Sequence, residues 1–269
     1  MDLGLAGKAC VVTGASRGIG RSTARMLTAD GASVLLVGRD AGALGDAVAE
    51  CAAAASGGAG AAALALDVPA AEASERILGA ADAHFGKLDV VVNNAGTAVW
   101  RQLDEVPEAD WYSAWELNVM APMRLMKAAI PAMAERGWGR VVNVASTAAK
   151  RPSAQMPEYS VAKAAQLSLS RLFADRYAAA GVLVNAVCPG ATKSEMWMDA
   201  DGLLDQLMES QDLDGREQAL EAAAKSRPIG RMAEVEEIAA AIVFLCSERA
   251  SYVAGSAWSV DGGTVQVII

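Results

Sequence analysis

A glycine-rich turn constrains the fold of this chain most strongly. Residues 13–20 (TGASRGIG) follow the apolar run 9–12 (ACVV) and precede the helix-forming segment 21–27 (RSTARML). Glycines at 14, 18 and 20 permit a tight turn and a close approach to a ligand, and the following helix N-terminus favours an anion such as a pyrophosphate. Because the spacing departs from G-x-G-x-x-G, a turn that only caps the helix is the alternative.

Strand-like and helix-like segments alternate along the rest of the chain. Strands are predicted at 32–37, 64–66, 88–92, 141–145, 182–187 and 257–260, and helices at 41–54, 70–85, 109–134 and 158–180. The Ala/Gly tract 52–63 is interpreted as a helix end followed by a glycine loop. Without a linker, the pattern predicts one α/β domain over residues 1–269, a Rossmann-like doubly wound parallel sheet of about seven strands with helices on both faces.

Composition and charge argue against several classes of partner. The net charge is −9, and no basic cluster offsets it, so nucleic acid is not expected to bind. Residues 1–8 lack a secretion-signal pattern and no run reaches the roughly 18 apolar residues of a membrane span. We therefore expect a soluble cytoplasmic protein with no membrane partner. Four scattered cysteines and one histidine, His84, predict no metal site.

Residues after the second and third predicted strands indicate which dinucleotide would bind. Arg39 stands about where an acidic residue would hold the ribose hydroxyls of NAD. Arg39 and Arg17 could instead pair with a 2′-phosphate, which favours NADP(H) and leaves NAD(H) possible; solvated surface charges are the alternative. Asp67 and Val68 could hold the adenine, although Asp67 could equally cap the next helix.

Two asparagine positions permit more than one interpretation. The segment 93–96 (NNAG) ends the fourth predicted strand, where its small residues allow a cofactor to approach, although a plain turn would look the same. Asn118 lies inside a predicted helix, where asparagine is a mediocre helix former. A kinked, hydrogen-bonded asparagine and an ordinary polar helix position are both compatible with the sequence.

A tyrosine and a lysine four residues apart give the clearest chemical signal. Tyr159 and Lys163 share one face of a predicted helix, and Ser146 follows the fifth predicted strand. A nearby ammonium favours the tyrosinate, so we expect Lys163 to lower the pKa of Tyr159. Such a pair can exchange a proton with a substrate oxygen near neutral pH. An accidental Y-x-x-x-K is the alternative, and the placement at the same sheet edge argues against it.

Together, these motifs resemble the short-chain dehydrogenases/reductases from residue 13 to residue 263, in particular NADP-preferring members similar to 3-oxoacyl reductases. The matching positions are T-G-x-x-x-G-x-G at 13–20, N-N-A-G at 93–96, Asn118, Ser146, Tyr159 with Lys163, and Pro189-Gly190. The resemblance implies hydride transfer between a nicotinamide and a carbonyl or alcohol carbon. It implies that Tyr159 protonates the developing alkoxide, Ser146 hydrogen-bonds the carbonyl oxygen, Lys163 binds the nicotinamide ribose, and Asn118 holds a water.

The resemblance also assigns the dinucleotide contacts. They are Gly14, Ser16, Arg17, Gly18, Ile19, Gly20, Arg39, Asp67, Val68, Asn94, Ala95, Gly96, Tyr159, Lys163, Pro189, Gly190, Thr192 and Ser194. No metal is implied. The long helices 109–134 and 158–180 resemble the pair through which family members associate, so we expect a homotetramer, or else a homodimer.

Residues 191–228 are predicted to form a substrate-binding lid. The apolar or amide side chains Trp100, Gln155, Met156, Met196 and Trp197 suggest a medium-sized, partly hydrophobic carbonyl substrate, although the Met/Trp cluster could be ordinary lid packing. Residues 195–221 carry nine acidic residues and one arginine, which disfavours docking of an acidic acyl carrier protein.

The expected function is NADPH-dependent reduction of a ketone or 3-oxoacyl-type carbonyl to a secondary alcohol. An alcohol, diol or sugar dehydrogenase acting oxidatively shares every catalytic residue and is the first alternative. A non-catalytic dinucleotide-binding regulator is the remote one, because a regulator would be free to lose the four catalytic residues.

Overall fold

A parallel sheet of seven strands forms the centre of the molecule, for which a computed structural model describes residues 2–266. The strands are β1 (Ala9–Thr13), β2 (Ser33–Gly38), β3 (Ala61–Ala65), β4 (Val90–Asn93), β5 (Gly139–Val144), β6 (Val182–Pro189) and β7 (Ala257–Val260). Their order is β3-β2-β1-β4-β5-β6-β7. The order reverses between β1 and β4, which places the ligand-binding crevice of such a sheet at their carboxyl ends.

Helices cover both faces of the sheet. They are α1 (Gly18–Ala29), α2 (Ala41–Ala54), α3 (Ala73–Phe85), α4 (Glu108–Trp115), α5 (Ala121–Glu135), α6 (Pro157–Tyr177), α7 (Glu195–Met198), α8 (Leu203–Ser210), α9 (Arg216–Lys225) and α10 (Val235–Cys246). One apolar core lies between the sheet and α1, α2 and α10, and the other between the sheet and α3, α5 and α6. The predicted Rossmann-like α/β architecture is therefore confirmed.

The third strand shows where the sequence interpretation was wrong. It was expected at 64–66 but spans Ala61–Ala65, so its first three residues lie in the tract 52–63 that was interpreted as helix end and loop. Its alanines pair in register with β2, from Val34 with Ala61 to Gly38 with Ala65. Alanine favours helix intrinsically, so backbone pairing with β2 decides the conformation here.

Two predicted helices also differ in extent. The helix expected from residue 70 begins at Ala73. The helix expected over 109–134 is interrupted by a π-helical segment, Glu116–Met120, between α4 and α5. A π-helical turn inserts an extra residue into the helix and is frequent at functional sites.

A buried polar chain links β4, β5 and α6. Asn93 Nδ2 donates to Asn143 Oδ1 at 2.7 Å, and Asn143 Nδ2 donates to Ser170 Oγ at 2.7 Å. The two asparagines are direct neighbours in the β4–β5 register. These hydrogen bonds compensate the cost of burying amide groups in an apolar core.

Over residues 2–266, none of the helices has the length and apolar character that crossing a bilayer requires. The same stretch of chain brings no three His, Cys, Asp or Glu side chains together in a way that could hold a metal ion.

Candidate active site

Two cavities lie at the carboxyl edge of the sheet and share part of their walls. The larger, about 1020 Å³, extends from the glycine turn past Arg39 and Asp67 to Tyr159. The smaller, about 530 Å³, is lined by Ser146, Tyr159, Lys163 and much of the 191–228 segment. Because Tyr159 lines both cavities, ligands in the two would meet at this side chain.

The glycine turn has the geometry of an anion-binding cradle. Gly14 has φ +65°, and a Cβ on it would lie 2.8 Å from Ala95 Cα. Helix α1 begins at Gly18 with no side-chain cap and no acidic residue in its first turn. The first backbone N–H groups and the positive end of the helix dipole are therefore free of a side-chain cap, as the binding of a pyrophosphate requires. The chain fits a dinucleotide at this position.

The predicted cofactor residues surround these two cavities with one exception. The larger cavity is lined by Gly14, Ser16, Arg17, Gly18, Ile19, Arg39, Asp67, Val68, Asn94, Ala95, Gly96, Tyr159 and Ser194. Lys163, Pro189, Gly190 and Thr192 line the smaller one. Gly20 lines neither, because it packs behind the turn, where a Cβ would lie 2.3 Å from Gly14 O.

The two predicted phosphate-binding arginines differ in their surroundings. Arg39 is exposed and forms no ion pair with any carboxylate of residues 2–266. Its neighbour Asp40 is engaged, because it accepts hydrogen bonds from Gly42 N and Ala43 N as the cap of α2. Arg17 pairs with Asp199, in the 191–228 segment, at 3.2 Å.

Asp67 does not cap the following helix. Helix α3 begins at Ala73, and Glu72 holds the N-cap position. Asp67 is instead exposed at the wall of the larger cavity, so the alternative of a helix cap is wrong.

Ser146, Tyr159 and Lys163 converge on the smaller cavity. Ser146 Oγ accepts a hydrogen bond from Ala148 N at 3.1 Å, which leaves its O–H free to donate. Tyr159 and Lys163 lie on the buried face of α6, with 9% and 2% exposure. Lys163 Nζ donates to Val144 O at 2.7 Å and to Gln166 Oε1 at 3.1 Å.

The pKa of Tyr159 shifts in the direction opposite to the one expected from the sequence. Burial raises the pKa of Tyr159 to about 12, and the nearby Ser146 hydroxyl acts in the opposite sense. Burial also lowers the pKa of Lys163 to about 7. Lys163 is therefore only about half charged at neutral pH. Its amine hydrogen-bonds to Val144 and Gln166 and lies 5.6 Å from the centre of the Tyr159 ring.

Asn118 occupies the π-helical segment and is completely buried. Its Nδ2 donates to Ala114 O at 2.8 Å, whereas its Oδ1 has no partner among residues 2–266. A Cβ on Gly96 would lie 3.4 Å from this oxygen and 3.5 Å from Lys163 Nζ. The structure thus brings an acceptor without a partner and the lysine amine close to Gly96. Its position in a π-helical segment and its hydrogen bond to Ala114 O agree with the interpretation of Asn118 as a kinked, hydrogen-bonded asparagine. Asn118 itself lines neither cavity.

All five predicted substrate residues line the smaller cavity: Trp100, Gln155, Met156, Met196 and Trp197. Part of the same cluster also serves packing, since Trp100 and Trp197 contact a small apolar core containing Leu207 and Met232. The sequence analysis missed two lining arginines, Arg151 and Arg227. The two arginines are far apart in sequence and belong to no common motif, so only the folded chain shows that they line one cavity.

Comparisons with known proteins agree with this geometry. A family model described as enoyl-(acyl carrier protein) reductase matches residues 14–265. The short-chain reductase protein NovJ of Streptomyces niveus is 36% identical over 253 residues, covering 94% of this chain and 92% of the relative. The 2-(S)-hydroxypropyl-CoM dehydrogenase 3 of Xanthobacter autotrophicus is 36% identical over 258 residues, covering 95% and 96% of the two chains.

A solved structure shares the same fold over its full length. The crystal structure of L-sorbose reductase from Gluconobacter frateurii, complexed with NADPH and L-sorbose, superimposes with a TM-score of 0.92. The two sequences are 34% identical, and the alignment covers 100% of both chains. Sequence and structural matches thus extend over almost the whole chain, and it belongs to the short-chain dehydrogenase/reductase family of oxidoreductases.

Proposed function

We propose that this chain is an NADPH-dependent reductase that converts a ketone or 3-oxoacyl-type carbonyl to a secondary alcohol. The observation that carries the proposal is the convergence of Ser146, Tyr159 and Lys163 on the smaller cavity, with Tyr159 in the wall that this cavity shares with the larger one. A dinucleotide in the larger cavity and a carbonyl compound in the smaller one would meet at the Tyr159 hydroxyl. When bound, the dinucleotide supplies the hydride.

The remaining steps use side chains of this chain. Tyr159 Oη donates its proton to the carbonyl oxygen, and the free O–H of Ser146 donates a hydrogen bond to the same oxygen. The high pKa of Tyr159 keeps the phenol protonated near neutral pH, which suits a general acid in the reductive direction. Lys163 would bind the nicotinamide ribose, and the unpaired Asn118 Oδ1 would accept a hydrogen bond from a water that resupplies the proton.

The preference for NADPH rests on charge. Arg17 and Arg39 both line the larger cavity near the end of β2, and Arg39 is free of carboxylate partners within the described residues. Asp40, the nearest acidic residue in sequence, is occupied as a helix cap. A 2′-phosphate would therefore meet two guanidinium groups, and no carboxylate at position 39 repels it.

Initial rates with NADPH and NADH against ketones, diketones, quinones and 3-oxoacyl thioesters test the proposal. Reduced-nicotinamide absorbance should fall faster with NADPH. Y159F should lower kcat by about a hundredfold or more while NADPH still binds. Turnover retained in Y159F would contradict the role of this hydroxyl, and no turnover of any carbonyl by the wild-type protein would refute the reductase.

A dehydrogenase acting on an alcohol, diol or sugar is the second candidate. Its support is the 36% identity to a protein named as a hydroxypropyl-CoM dehydrogenase. The same residues would serve, with Tyr159 accepting a proton. Faster oxidation of alcohols with NADP or NAD than reduction of the matching ketones would favour it.

We also propose that the protein is a homotetramer that uses the faces of α4 and α6. Tyr112 and Trp115 on α4 and Val161 and Leu172 on α6 are large apolar side chains left exposed. Apolar patches of this kind mark interaction surfaces. Light scattering should report a tetramer, and a monomeric mass at working concentration would refute the assembly.

A further inference from the structure

The charge of the smaller cavity is opposite to that of the chain. The protein has net charge −9 and 32 acidic residues, yet the described residues lining this cavity include no Asp or Glu. Its charged lining residues are Arg151, Lys163 and Arg227. A cationic lining in an acidic protein concentrates anions.

Arg227 follows α9 and presents one edge of its guanidinium without a partner. Its Nη1 donates to Ala223 O and to Ser226 Oγ. Its Nε is buried and has no hydrogen-bond partner among residues 2–266, and no carboxylate of those residues forms an ion pair with it. Nη2 likewise donates to no atom of the described chain. The Nε/Nη2 edge is the one that grips a carboxylate through two parallel hydrogen bonds.

The nearby carboxylate of Asp261 is already engaged. It accepts hydrogen bonds from Gly263 N at 3.0 Å and from Val265 N at 2.8 Å. Asp261 therefore influences Arg227 through space without pairing with it.

A second donor on the same cavity also lacks an acceptor. Trp100 Nε1 is buried and has no partner among residues 2–266. Arg151, which also lines the cavity, is exposed and forms no ion pair within the described chain. Buried donors without acceptors are costly, so an oxygen-rich ligand would be stabilised by pairing with them.

We propose that the carbonyl substrate carries an anionic group, with Arg227 as its principal partner and Trp100 Nε1 and Arg151 as further donors. The inference rests on the proposed reductase function and names its substrate class as oxo acids or their phosphate or sulfonate equivalents. The two-pronged Nε/Nη2 edge fits a carboxylate best, and phosphate and sulfonate oxygens share the same chemistry.

Matched pairs of charged and neutral ketones test the substrate class. Levulinate is compared with levulinamide, dihydroxyacetone phosphate with dihydroxyacetone, and acetonylsulfonate with acetone, each with NADPH. The wild-type kcat/KM should favour the anionic member of at least one pair by about tenfold or more, and the pair with the largest ratio identifies the anion. A ratio near one or below in every pair would overturn the proposal.

Variants of Arg227 test the residue. R227Q should reduce the charged-to-neutral ratio to about one, because the amide carries no charge. R227K should retain part of the preference, since it keeps the charge and loses the planar fork.

R171Q is the control: Arg171 is exposed and pairs with Asp175 on the outer surface of α6, so the ratio should stay at the wild-type value. A ratio unchanged in R227Q would contradict the assignment. Circular dichroism and melting curves verify folding, and R227K carries the test if R227Q does not fold.

Equilibrium binding separates this inference from the proposed function. Saturation-transfer NMR with levulinate, dihydroxyacetone phosphate or acetonylsulfonate, each in the presence of NADP⁺, involves no turnover. Binding of any of the three anions to wild type that is lost in R227Q would support the anion site even if no carbonyl is reduced. If carbonyls are reduced but each of the three anions binds both proteins equally or binds neither, the reductase stands and the anion site is refuted.

Discussion

The Arg17 guanidinium lies 3.2 Å from the Asp199 carboxylate and so links the glycine turn to the 191–228 segment. Both side chains are more than half exposed, at 59% and 53%. Exposed pairs of this kind contribute little to stability, typically below about 1 kcal/mol. The pair matters more for cofactor binding than for stability, because Asp199 competes with the 2′-phosphate for the Arg17 guanidinium proposed to bind it.

Removing the Asp199 charge should therefore strengthen discrimination between the two dinucleotides. In D199N, the Kd for NADPH should fall about two- to fivefold relative to the Kd for NADH, as expected from releasing one exposed ion pair. Fluorescence titration measures both constants. D214N removes an exposed carboxylate of the 191–228 segment that forms no ion pair in the described chain, and it should leave the ratio unchanged. An equal change for NADPH and NADH would show that Arg17 does not contact the 2′-phosphate.

Lys163 should give the free energy of unfolding a measurable pH dependence. Its pKa falls from 10.5 to about 7 through burial, so between these values the unfolded chain binds a proton that the folded chain lacks. Stability contributed by Lys163 should therefore rise with pH over that window, by up to about 1.4 kcal/mol per pH unit.

Urea titrations at several pH values compare wild type with K163M. The free energy of unfolding of wild type relative to K163M should rise by about 2 to 3 kcal/mol from about pH 7 to about pH 9. K127M replaces an exposed lysine on α5 and should retain the wild-type pH dependence. Parallel curves for wild type and K163M would contradict a buried lysine with a lowered pKa.

Asn118 and Asn185 are both buried but should respond differently to alanine substitution. N118A loses one hydrogen bond and also removes an oxygen without a partner in the described chain, so its net stability change should be small, below about 1 kcal/mol. Its kcat should fall by about tenfold or more if Asn118 holds the proton-relay water.

Asn185 provides the matched control. Its Nδ2 donates to Val253 O at 2.8 Å and its Oδ1 accepts from Ser256 N at 3.0 Å. N185A should cost about 1 to 3 kcal/mol of stability and leave kcat unchanged. Melting curves and steady-state rates measure the two effects, and a normal kcat in N118A would exclude Asn118 from the relay.

Two helical glycines should respond to alanine with opposite signs. A Cβ on Gly20 in α1 would lie 2.3 Å from Gly14 O and 2.5 Å from Asn94 Nδ2, so G20A must displace the cofactor turn. It should lose about 1 to 3 kcal/mol. Gly79 in α3 has open space around its Cβ position, so G79A should gain about 0.5 to 1 kcal/mol from helix propensity. Equal effects in thermal unfolding would contradict the close packing at Gly20.

The sequence predicted the sheet because fully buried parallel strands are continuous apolar runs. The segments at β1 and β4 come close to that character, and β5 and β6 are fully buried strands interrupted only by Arg140, Asn143 and Asn185. β3 is apolar but alanine-rich and only partly buried, and its alanines form a strand through pairing with β2. Long-range backbone pairing therefore limits prediction from local patterns at this strand.

The candidate site likewise contains residues that local sequence patterns reveal and residues that only the fold brings together. Tyr159 and Lys163 could be found because a four-residue spacing on one helix places them on the same face, and Ser146 could be found because it directly follows a predicted strand. The arginines of the smaller cavity could not, because Arg151 and Arg227 come from separate segments that only the fold unites. The predicted direction of the Tyr159 pKa shift was wrong because burial, a property of the packed molecule, raises this pKa and outweighs the opposing effect of the Ser146 hydroxyl.

The Asn93–Asn143–Ser170 chain has a consequence for how the strands find their alignment. Shifting β4 by two residues along β5 would keep apolar faces matched, so hydrophobic burial alone would tolerate it. That shift would separate the two amides, and it would move the NNAG loop by roughly 6.6 Å relative to Ser146. A sheet with this shifted register would be destabilised, because the buried amides of Asn93 and Asn143 would lose their hydrogen bonds. The three hydrogen-bonded side chains thus favour the native β4–β5 register and fix the position of the NNAG loop relative to Ser146.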